Sequence, residues 1–168
     1  MDKRGVSIMI GYVLLITGVI IIGAIVYTWM RSYVPRPTLE CPDGVSLFIE
    51  EVVCKSERGN YLLNISIKNN GRFLVDGYYI KATNEPGQER AIVDISESIE
   101  SGGNAQGGIV LFSGGNLPPG EQAIKAIYKI DFKTDLIEII PMKYETIEGK
   151  NRLVVCGEAK VQEKISCE

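Results

Sequence analysis

Histidine is absent from the 168 residues, and tryptophan occurs once. Without histidine the chain lacks the side chain that most often serves as a general base near neutral pH and as an imidazole metal ligand. Serine with a lysine base remains for nucleophilic chemistry, but neither an S-x-x-K nor a G-x-S-x-G arrangement is present. The carboxylates at Asp94, Glu97 and Glu100, and at Asp131, Asp135 and Glu138, are loosely spaced and follow no EF-hand pattern, so they read as a solvated face, with an oxygen-ligand calcium site as the alternative. No C-x-x-C type spacing favours zinc. Net charge is −3, with no basic stripe and no run of like charges, so nucleic acid has no electrostatic footprint to bind. Neither enzymatic activity nor a cofactor is expected.

The most informative absence is local. Between Arg4 and Arg31 lie 26 residues without a charge. As a helix that stretch measures about 39 Å, more than the roughly 30 Å hydrocarbon core of a bilayer, so it is long enough to span with some tilt. Its far side, Trp29 to Pro35, offers an aromatic pair in Trp29 and Tyr33 and no A-x-A-like cleavage site, so the helix is expected to be retained rather than removed as a signal peptide. Lys3 and Arg4 precede it, which places the short amino-terminal segment in the cytoplasm and everything after Arg31 outside the cell.

The remaining residues, about 130, suffice for one compact domain. Pro35-Arg36-Pro37 stops the helix and makes a stiff link over 35–38, so the domain runs over 39–168. Hydrophobic period then changes from helical to alternating. Strands are expected at 45–54, 61–68, 78–82, 91–95, 109–112, 122–132, 135–141 and 152–156, with a further one over 159–166. Short strands at this spacing with no second helix predict an all-β sandwich preceded by one long α-helix. Cys41, Cys54, Cys156 and Cys167 all fall on the external side, where disulfides form. Three pairings are possible; Cys41 with Cys54 and Cys156 with Cys167 is favoured because each closes a short loop, and a cross-pairing of the first strand to the last is the rival.

Two features of the loops and strands stand out. Ser101-Gly102-Gly103-Asn104 recurs as Ser113-Gly114-Gly115-Asn116 on either side of the 109–112 strand. Two turns requiring positive φ explain this, and a pair of exposed contact loops is the sharper alternative. Asn64-Ile65-Ser66 is the only glycosylation sequon; Asn64 falls on the polar face of its strand, so a glycan there is expected to point outward.

Lys3-Arg4-Gly5 followed by Val6-Ser7 and Ile10-Gly11 resembles the leader and helix of archaeal type IV pilin-like proteins, the group that includes adhesion pilins and archaellins. Met9 stands near a position where these proteins usually carry proline, and the resemblance covers residues 1–35. It implies a leader over 1–5, cleavage by a prepilin peptidase between Gly5 and Val6 with Lys3 and Arg4 holding the leader at the membrane surface, and a filament-core helix over 6–34. The partners it implies are further copies of the chain, the membrane and an assembly machinery. The domain is similar to Ig-like or archaellin-like sandwiches through residues 63–71 and 117–121. On a helical wheel Ser7, Gly11 and Gly18 lie within about 40° of one another, a small-residue stripe of the kind that lets helices approach closely in lipid. The expected role is a filament subunit with its sandwich exposed for adhesion or motility. The alternative is a monomeric, single-pass anchored surface protein whose sandwich binds a ligand or partner.

Overall fold

The computed structural model describes residues 3–33, 40–85, 87–123, 125–147 and 149–168, with the backbone alone for 3–8 and 147. Contacts divide the chain into Met1–Thr38 and Leu39–Glu168. The 35–38 link lies outside the described residues.

The first unit is a helix, α1 (Lys3–Tyr33). Lys3, Arg4 and Gly5 belong to it, because lysine and arginine are good helix formers and one glycine costs only about 1 kcal/mol. Its residues Met9–Tyr33 are long and apolar enough to cross a membrane. The Thr17 hydroxyl donates to the carbonyl of Val13 at 2.9 Å, Thr28 to Ala24 at 3.0 Å and Ser32 to Trp29 at 2.6 Å. These back-bonded hydroxyls bring no unsatisfied donor into an apolar surrounding. Trp29 and Tyr33 meet edge to face at 4.9 Å.

The second unit is a sandwich of two antiparallel sheets. Its strands are β1 (Leu47–Glu57), β2 (Asn60–Asn69), β3 (Gly77–Ala82), β4 (Val93–Asp94), β5 (Ile99–Ser101), β6 (Gly103–Gln106), β7 (Ile109–Phe112), β8 (Ala126–Ile130), β9 (Leu136–Ile147), β10 (Lys150–Val155) and β11 (Val161–Lys164). One sheet has the order β1-β2-β8-β5; the other runs β10-β9-β3-β7-β6, with β4 on β3 and β11 on β9. The alternation that defined 61–68 puts Leu63, Ile65 and Ile67 inside, where they join Tyr78, Ile80, Val110, Tyr128, Ile137 and Ile139 in one core. The hydroxyls of Tyr78 on β3 and Tyr128 on β8 face each other across that core at 2.7 Å and link the two sheets.

Two strands and one loop depart most from the sequence reading. The expected strand over 135–141 continues through Pro141 to Ile147. Pro141 has no N–H to donate, yet it sits where the loss is harmless. Its carbonyl accepts from Cys156 N–H at 2.9 Å, and on that edge β10 ends with Val155 opposite Met142 and β11 begins with Val161 opposite Ile139. The strand expected over 122–132 shortens to β8, with Gln122 making only an isolated bridge to Lys68. The first Ser-Gly-Gly-Asn sequence is a corner between sheets rather than a simple turn: Ser101 ends β5 in one sheet and Gly103 begins β6 in the other. Gly102 makes that crossing with φ +87°, and a Cβ there would strike the backbone of Lys125 and Ala126.

Candidate functional site

The residues singled out at the amino terminus fall in α1. Lys3, Arg4, Gly5, Val6 and Ser7 are helical backbone, and their side chains lie outside the description. A Cβ placed on Gly11 or Gly18 meets nothing within 4 Å, so that side of the helix is open to an approaching surface. From Met9 to Tyr33 every large apolar side chain is exposed, Leu14 at 66% and Ile20 at 64%, for example. An apolar surface on every side of a helix needs lipid or other helices around it.

The cysteines form two disulfides, Cys41–Cys156 and Cys54–Cys167. The favoured pairing of Cys41 with Cys54 and Cys156 with Cys167 is therefore corrected to the cross-pairing. The reason lies in the topology. The last residues return alongside β1, where Ser56 N–H donates to Glu168 O at 2.7 Å and Glu168 N–H to Cys54 O at 3.3 Å, so Cys54 faces Cys167 in a parallel bridge. Nearness in sequence, on which the short-loop argument rested, does not measure nearness in a sandwich whose last residues return alongside its first strand. Together the bridges tie the entry to the domain and its first strand to the closing segment.

Asn64 lies on β2 opposite Val53 on one side and Ile127 on the other. It faces away from the core but is half-buried, and its Oδ1 is buried with no hydrogen-bond partner. The expectation of an outward glycan thus meets a position inside a central strand, flanked by paired neighbours, rather than an exposed loop. Glu138, assigned to a solvated face, is 6% exposed. Its Oε2 accepts from Lys160 Nζ at 3.3 Å and from Gln162 Nε2, which is how a buried carboxylate keeps its charge satisfied. Asp94 caps the short turn after β4, its Oδ1 accepting from Ser96 N–H at 2.9 Å. Among the described residues no three cysteine, aspartate or glutamate side chains cluster as a metal site.

The two Ser-Gly-Gly-Asn sequences converge. Gly103 pairs with Phe112 and Asn104 with Leu111, which sets the first tetrad beside the start of the second. The second is a turn closed by Gly115 N–H to Phe112 O at 3.0 Å, with Gly115 at φ +96°. Val75 and Leu117 exchange backbone hydrogen bonds of 3.1 and 2.7 Å, and the buried Asn69 side chain donates to Phe73 O and Leu117 O, each at 2.8 Å. These bonds hold residues 113–117 next to Asp76, whose Oδ2 accepts from Tyr144 N–H at 2.7 Å. Sequence reasoning singled out the tetrads but missed Asp76 and Tyr144, which lie 68 positions apart and carried no motif. No protein-family model, no curated protein and no solved structure matches the chain.

Proposed function

We propose that the protein is a structural subunit of an archaeal type IV pilus-like surface filament, with α1 in the filament core and the sandwich on the outside. The observation that carries this reading is a helix uncharged from Gly5 to Met30, apolar on every face and introduced by Lys3-Arg4-Gly5. Such a helix is stable in lipid before assembly and against copies of itself afterwards, because it has no charge to strand in either setting. The open surface at Gly11 and Gly18 suits close helix packing. Two disulfides suit a domain outside the cell. In this reading a prepilin peptidase removes residues 1–5, and the assembly machinery lifts the mature chain from the membrane. The protein does no chemistry of its own.

A permanently anchored monomer accounts for the same apolar helix but gives no role to Gly5. The test is therefore Gly5→Phe in the native host, with electron microscopy of sheared surface material and a blot of membranes. The proposal expects filaments to disappear while the full-length chain accumulates in the membrane. Filaments of undiminished number from the variant would overturn it.

A further inference from the structure

We propose that the groove formed by the two Ser-Gly-Gly-Asn sequences on the outer face of the larger sheet is a binding site for a neutral saccharide. The groove is shallow and open to solvent, with a volume of about 540 Å³. Asp76, Asn104, the 113–116 turn and Tyr144 line it, with Leu111 contributing apolar surface.

The chemistry of the lining selects the ligand class. Tyr144 is 45% exposed, an aromatic ring left open on β9 between the half-buried Lys143 and Glu145. Such a ring offers a flat, weakly polar face to the C–H side of a pyranose. Asp76 uses Oδ2 for Tyr144 N–H and leaves Oδ1 as an acceptor. Asn104, Ser113 and Asn116 make no side-chain hydrogen bond within the described residues, so they supply both donors and acceptors. A polyol, whose hydroxyls both donate and accept, matches that mixture. An anion does not, because no lysine or arginine lines the groove and Asp76 opposes it. A cation would use the acceptors and ring but waste the amide donors.

The site is also held in shape before any ligand arrives. Asn69 and the Val75–Leu117 pair fix the turn, while the Asp76 carboxylate is oriented by the backbone of β9. A preformed site loses little conformational freedom on binding, which favours recognition by a few weak polar contacts. Filament surfaces present many copies, so a weak single-site affinity multiplies at a glycan-coated surface. The site belongs to the domain alone and does not require that the helix polymerise.

The test uses the full chain in nanodiscs free of glycolipid, with tri- to pentasaccharides of glucose, galactose, mannose and N-acetylglucosamine followed by saturation-transfer NMR. At least one sugar is expected to bind with a dissociation constant on the order of 1 mM, and Tyr144→Ala or the pair Asn104→Ala with Asn116→Ala to weaken it about tenfold or more. Phe48→Ala, an exposed aromatic on the other sheet, is expected to leave binding unchanged. No binding by any of these sugars at about 10 mM overturns the proposal. Equal binding by the groove variants overturns it too, as does binding of choline in place of every sugar.

Discussion

Replacing Tyr128 by phenylalanine removes one oxygen from the middle of the sandwich and leaves the Tyr78 hydroxyl facing a ring edge. Both tyrosines are buried, at 1% and 0% exposure, and their oxygens lie 2.7 Å apart. An unsatisfied buried hydroxyl costs about 1–3 kcal/mol, whereas removing both partners together is close to neutral. Either single variant is therefore expected to lower the melting temperature by roughly 5–10 °C for a domain of this size, and the double variant by much less. Alkaline pH probes the same pair independently. Burial pushes Tyr78 up to about 12, against a smaller lowering by its bond to Tyr128. Tyr128 is pushed well above the ordinary phenol range, first by burial and then by the charge and hydrogen bond of Tyr78. Below about pH 10 folded and unfolded chains both keep these protons, so the pair contributes in full. Above pH 10 the unfolded phenols ionise while the folded ones do not, and stability falls by about 1–2 kcal/mol per pH unit for each ring. Denaturant titrations of the four proteins of the cycle, from pH 8 to about 12, measure both effects. Additive single-variant losses, or an alkaline limb just as steep in the double phenylalanine variant, would refute the reasoning.

Peptide mapping without reduction is expected to recover Cys41 joined to Cys156 and Cys54 joined to Cys167, and Cys41→Ser with Cys156→Ser to cost about 2–5 kcal/mol in chemical denaturation. The same connectivity leaves residues 55–155 outside the path of a load applied between residues 40 and 168. Single-molecule pulling should lengthen the oxidised domain by no more than about 40 Å, and the reduced one by about 450 Å. Asn64→Val replaces a buried, unpartnered oxygen by a β-branched side chain between Val53 and Ile127. It is expected to stabilise the domain by about 1 kcal/mol, seen as a higher denaturant midpoint with an unchanged slope.

Most of the architecture was written in patterns short enough to read locally. The uncharged run between Arg4 and Arg31 specified the helix, and the alternation of Leu63, Ile65 and Ile67 specified β2 and its buried face. Features set by distant partners were not legible in this way. Pro141 looked like a strand end because the changeover from β11 to β10 along its edge is a property of the assembled sheet. Ser-Gly-Gly-Asn looked like a turn at both occurrences, since the local requirement, a glycine at positive φ, is the same for a turn and for a corner between sheets. Cysteine spacing misled for a related reason: the last residues return alongside β1, and no local signal reports that. The groove was half legible, through its repeated tetrads. Asp76 and Tyr144 became visible as a pair only when β9 was laid against the segment entering β3.

The central claim is that the chain is processed and assembled through its helix. Amino-terminal sequencing with intact mass, on material sheared from the cell surface and on membranes, tests it most directly. The account predicts a sheared fraction whose chains begin at Val6 and carry both disulfides. Chains that retain residues 1–5 and are found only in membranes would contradict it.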